Sequence, residues 1–173
     1  MNRSTQIGSV AVLAGAAVLW MLRITGADAA ETPPTWKAGA ASMVITPGES
    51  MWMAGYAARK KPSEGKFQDL FAKALALEDA AGSRLVLVTL DLISVPRALR
   101  DAVEKQVCPK YGLRPEGLLM NCSHTHSGPV VRAGKSFYEL VPEQQQRADK
   151  YAAELPEKLV SLIGKAVAYA SML

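Results

Sequence analysis

Apolar and polar positions divide the chain into blocks of different period. Residues 84–92 (RLVLVTLDL) are almost continuous in Val and Leu over a strand's length and predict a buried β-strand. Residues 69–79 (DLFAKALALED) are ambiguous. Their Ala, Leu and Lys favour a helix, yet the apolar run is only strand-length. The Ala80-Ala81-Gly82-Ser83 turn between the two runs suggests a hairpin. Residues 36–46 (WKAGAASMVIT) form a candidate strand that ends at the turn signal Pro47-Gly48. Residues 49–68 show few periodic apolar positions and read as a long loop, a feature that in compact domains is often functional. Over residues 96–112, Leu99, Val103 and Val107 recur every four positions and define one face of a helix. Ser94 is placed to cap its start, Pro96 falls in its first turn, and Pro109 and Gly112 end it. A short apolar run at 118–123 (LLMNCS) predicts another strand. Residues 143–173 then predict a helix with Tyr151, Leu155, Leu159, Leu162, Ile163, Ala166 and Ala170 inward, kinked or divided at Pro156. Strand, helix and strand in succession form a crossover unit, so the fold class is α/β, a mixed sheet with crossover helices.

The first thirty residues follow another rule. Arg3, the apolar run 7–22 and Ala27-Asp28-Ala29 have the order of a secretory signal peptide: basic start, apolar middle, small-x-small cleavage site. The run is somewhat short for a bilayer span of about 20 residues. Residues 1–29 are therefore expected to direct export to the periplasm or the cell exterior. An uncleaved membrane anchor is the alternative. Residues 30–35 (AETPPT) read as a linker to a domain over 36–173.

Composition narrows the function classes. A chain of 173 residues with 49% apolar and 21% charged residues is not a disordered tail. Lys and Arg number 20 against 16 acidic residues, with no basic block, so nucleic acid is not an expected partner. Two cysteines exclude a disulfide-dense scaffold and a Cys-rich zinc finger. An oxidising compartment permits Cys108 and Cys122 to pair, but two free, buried thiols are the preferred expectation.

Both histidines fall in residues 121–129 (NCSHTHSGP), directly after a predicted strand. In extended backbone His124 and His126 point to the same side. Two neutral imidazoles at a strand end suit a metal or the polarisation of a substrate, but two cannot complete a zinc site. Cys122 would share their face and is better suited to packing. Ser127, next to His126, is a turn residue, because sequence neighbours rarely have the geometry for proton transfer. In residues 53–57 (MAGYA), Gly55 would let backbone approach a ligand and Tyr56 could donate a hydrogen bond. The same segment could equally be a loop packed by Trp52, Met53 and Tyr56. Asp91 ends the most apolar strand, where a carboxylate needs a partner. It either steadies a histidine or caps the following turn.

The segments WKAGAASMVITPG, MAGYA, a strand ending in LDL, KYG and SHTHSGP occur in this order. Together they resemble the amino-terminal catalytic domain of the neutral/alkaline, non-lysosomal ceramidases, with HTHSGP the most specific element. The resemblance implies a zinc-dependent amidase that is secreted or surface-bound and cuts the N-acyl bond of a lipid-like amide such as ceramide, with contact to a membrane surface possible. It assigns His124 as a zinc ligand, His126 as the residue at the reacting centre, and Gly55 and Tyr56 to the loop bordering the pocket. It also implies that the remaining ligands (a His, a Glu and a Tyr) and a serine nucleophile lie downstream. The chain is then an incomplete, amino-terminal piece of a larger domain, inactive alone. FAKALALED replaces a more basic strand and implies a distant branch with another amide or ester substrate. Another metallohydrolase built on the paired histidines, or a non-catalytic secreted domain, are the alternatives.

Overall fold

A computed structural model of the chain describes residues 36–131 and 138–171. The signal peptide and linker assigned to residues 1–35 lie outside the described residues. Four strands, β1 (Lys37–Val44), β2 (Phe71–Glu78), β3 (Arg84–Leu90) and β4 (Leu118–Cys122), form one sheet in that order. Strands β1, β2 and β3 pair antiparallel, and β3 and β4 pair parallel. The parallel step is bridged by helix α1 (Arg97–Tyr111), and helix α2 (Pro142–Ala170) follows β4. The expected mixed α/β sheet is present.

The ambiguous 69–79 segment is a strand. Ala72, Ala74 and Ala76 are buried while Lys73 and Leu75 face out, a period of two that outweighs the helical propensity of Ala and Leu. Its partners fix it: Ala74 pairs with Ala41 on one side and Val88 on the other. One face of the sheet is covered by the Leu99, Val103 and Val107 stripe of α1 and by Leu155, Leu159, Leu162, Ile163 and Ala166 of α2. On the other face Ala40, Leu75, Leu87 and Leu119 lie in one row across the strands, with Leu75 and Leu119 exposed.

Small residues on β1 and β2 let α2 lie very close. A Cβ added at Gly39 would stand 2.1 Å from the Ala166 carbonyl oxygen and 2.3 Å from the Ala170 nitrogen. Both are helix backbone and cannot swing aside. Gly39→Val should therefore destabilise the fold by at least about 1–3 kcal/mol, the usual cost of overpacking. Urea unfolding followed by circular dichroism measures it, and an unchanged midpoint would show that α2 is not seated on β1.

Three helix expectations need correction. Ser94 does not cap α1: the N-cap position is Pro96, with no side-chain hydrogen bond, and Ser94 lies two residues too early. Pro109 lies inside the last turn, and the helix ends at Gly112, whose φ of 62° is left-handed and whose N–H reaches the Cys108 carbonyl. Pro156 neither divides α2 nor ends it, because the helix runs unbroken for 29 residues. Tyr151, Leu155, Leu159 and Leu162 are buried on both sides of the proline, and this packing outweighs the roughly 3 kcal/mol that an interior proline costs. Among the described residues no helix is long and apolar enough to cross a membrane.

Candidate functional site

The site is built where β3 and β4 end. The Ser123 N–H makes the last ladder bond, to the Leu90 carbonyl at 2.9 Å. His124 then takes a φ of 56°, a left-handed conformation uncommon for a residue with a side chain. The backbone is therefore not extended here, and strand alternation is not what brings the imidazoles together. The rings nevertheless meet edge to face with centroids 5.2 Å apart. The hydrogen bond from His124 Nδ1 to the Ile93 carbonyl, at 2.7 Å, holds the exposed His124 ring in place. A carbonyl can only accept, so Nδ1 carries the proton and Nε2 keeps its lone pair.

The 53–57 loop is zipped onto the histidine segment. Met53 and Pro129 form an isolated antiparallel bridge, flanked by bonds from the Ala54 N–H to the Gly128 carbonyl and from the Val130 N–H to the Trp52 carbonyl, both at 2.9 Å. This sets Gly55, with a φ of 113°, against the His126 ring: an added Cβ would lie 2.5 Å from His126 Cγ. Gly55 thus makes room for a histidine rather than for a ligand, contrary to the simplest expectation for it. Its N–H donates to the Tyr138 hydroxyl at 2.6 Å. Tyr56 is 58% exposed and its ring lies 4.8 Å from that of His126, so it stands at the rim of the site. Arg59 donates from Nη2 to the His126 carbonyl at 2.5 Å and sits over the Tyr56 ring at 5.2 Å. His126 Nδ1 is buried without a hydrogen-bond partner among the described residues, an arrangement rare enough to mark a working group.

Other candidates stand apart. Asp91 Oδ2 accepts the Phe71 N–H at 2.9 Å, so it closes the end of the β2–β3 pair and serves neither a histidine nor the following turn. Ser127 lies in a turn, its N–H on Thr125 Oγ1 at 3.2 Å, as expected. Cys122 and Cys108 are free thiols, half-buried rather than buried. Burial, with a contribution from Glu104, pushes the Cys108 thiol above its usual range. Among the described residues no three His, Cys, Asp or Glu side chains cluster as a metal site, so the histidine pair is the whole metal-binding potential found there.

Cavities lie on both sides of the histidine segment. One, of about 860 Å³, has His124, Ile93 and Val130 in its wall. The other, of about 680 Å³, has Thr125, Ser127 and Pro129. Sequence reasoning missed Arg59, Tyr138 and Ile93. Arg59 lies three positions beyond Tyr56 and could have been suspected from that loop. Tyr138 and Ile93 reach the site only through tertiary folding and carry no local signal.

The profile of the family described as neutral/alkaline non-lysosomal ceramidase, N-terminal, matches residues 36–168. Among solved structures, a crystal structure of neutral ceramidase from Pseudomonas aeruginosa superposes with a TM-score of 0.63 at 27% identity, covering 78% of this chain and 22% of that one. A ceramidase complexed with C2 superposes with a TM-score of 0.60 at 28% identity, covering 78% of this chain and 21% of the other. The chain thus spans about a fifth of the length of these ceramidases.

Proposed function

The chain belongs to the neutral/alkaline non-lysosomal ceramidase family, and from that membership we propose that it carries the histidine-bearing part of an exported, zinc-dependent amidase. The substrate is ceramide or a related N-acyl amide of lipid character, and residues 1–29 are the export signal. The observation that carries the reading is the histidine pair. His124 is anchored through Nδ1 to a main-chain carbonyl, which fixes the ring and leaves Nε2 with its lone pair. Histidine ligands of metals characteristically give their other N–H to such an acceptor. His124 therefore fits a zinc ligand, and the remaining ligands come from outside this chain. When bound, zinc supplies positive charge that polarises an amide carbonyl or activates the attacking oxygen.

The chain's own residues do the rest of what is assigned here. His126, whose ring lies edge to face on His124, holds or moves a proton where charge develops at the reacting carbon. Arg59 and Gly55 fix it, one through its carbonyl and the other by packing under its ring. Tyr56 borders the entry of the substrate. The longer protein that contains this domain should release fatty acid and amine in equal amounts from an N-acyl sphingoid amide. Chelation should stop the release and added zinc should restore it. Zinc-loaded protein that leaves such amides intact would overturn the proposal.

A further inference from the structure

The larger cavity has a definite construction. On α1, Ala98 and Ala102 lie one turn apart beside the buried Leu99, Val103 and Val107 stripe. On α2, Ala152 and Pro156 lie one turn apart and line the same space. The two helices pack against each other through their larger apolar residues. Where they diverge they present small side chains, and a groove of about 860 Å³ remains. That size is typical of small-molecule sites. Ile93, Val130 and Val131 complete the wall and are apolar. His124 stands in the same wall, hydrogen-bonded to Ile93.

Charge keeps to the outside of this groove. The Arg97 side chain is 87% exposed, and Asp149 is engaged by Gln145 at 2.8 Å. The cavity on the other side of the histidines differs: Glu49, Ser50, Ser63, Glu64, Lys66 and Gln68 are in its wall. An apolar groove whose wall includes the candidate metal ligand suits the unbranched hydrocarbon part of a molecule whose polar bond is held at that ligand.

We infer that the groove between α1 and α2 takes the alkyl arm of the amide substrate. The inference rests on the amidase reading for the polar end of the ligand, but the groove's preference for an alkyl chain is testable without turnover. The probe is a dansyl-labelled undecanoic acid, titrated by fluorescence into the full chain, then displaced by N-methyl alkanamides of increasing length. Affinity should rise about three- to four-fold for each added methylene until the groove is full. Ala98→Leu and Ala102→Trp, which fill the groove, should each weaken binding by about ten-fold or more. Gln68→Trp, in the wall of the other cavity, should leave it unchanged. Ala98 is exposed, so Ala98→Leu folds even if the tryptophan at 102 does not. A flat length series, or a loss of binding confined to Gln68→Trp, would overturn the inference. Length-dependent binding in a protein whose longer form hydrolyses no amide would keep the groove and remove the amidase proposal. Hydrolysis whose chain-length preference is untouched by Ala98→Leu would do the reverse.

Discussion

Gly55→Val should lower amide turnover of the longer enzyme by about 100-fold or more while leaving its zinc content near the wild-type level. The substitution asks a branched residue to adopt a φ of 113°, a conformation open in practice to glycine. It also places Cβ 2.5 Å from His126 Cγ, 2.6 Å from its Cβ and 2.8 Å from its Nδ1. The glycine cannot retreat, because the bonds of Ala54 to Gly128 and Trp52 to Val130 hold its loop to the histidine segment. The imidazole must turn or slide. A displacement of about 1 Å at a reacting group costs on the order of 100-fold in rate. His124 is anchored separately, through Ile93, so the metal should stay. Turnover and zinc, measured on one preparation, decide this. Gly65→Ala is the control, since nothing lies within 4 Å of a Cβ there. A Gly55→Val enzyme of normal rate would mean that His126 does not act from the position described.

Much of the fold could be read from local pattern. The Leu99, Val103 and Val107 stripe and the run 84–92 each bury the side that their period dictates. The 69–79 segment could not be decided alone, since its alanines suit either element and only pairing with β1 and β3 selects the strand. Pro156 misled for a related reason: its local cost is real, but the packing of Tyr151, Leu155 and Leu159 against the sheet is not visible in neighbouring residues.

The site was legible in parts. The histidine pair and the 53–57 loop stand out in sequence, and the structure brings them into contact through the Met53–Pro129 bridge. The reason given for the pairing of the histidines was mistaken. The left-handed His124 breaks strand alternation, and a main-chain acceptor from the β3–α1 connection orients the ring instead. That acceptor is 31 positions away, as Tyr138 is 83 positions from Gly55. Sequence spacing has no access to contacts of this kind. Asp91 shows the converse case. A carboxylate at a strand end invites a functional role, yet it satisfies the Phe71 N–H.

The two histidines should respond differently to removal. His124 has one nitrogen committed to Ile93 and the other with a free lone pair, which is how a metal ligand is prepared. His126 has a buried, unpartnered Nδ1 beneath Gly55 and a main chain held by Arg59, which is how a group that must be positioned is prepared. His124→Ala should therefore remove most of the zinc from the longer enzyme, and the activity with it. His126→Ala should retain the zinc and slow turnover by about 10²–10⁴-fold, the range for lost acid–base or charge-stabilising groups. The deciding measurement is zinc content by elemental analysis together with the rate of N-acyl amide hydrolysis, on the same preparations of wild type and both variants. The account predicts zinc lost in His124→Ala alone and rate lost in both. Zinc lost in His126→Ala but kept in His124→Ala, or neither quantity changed by either substitution, would contradict it.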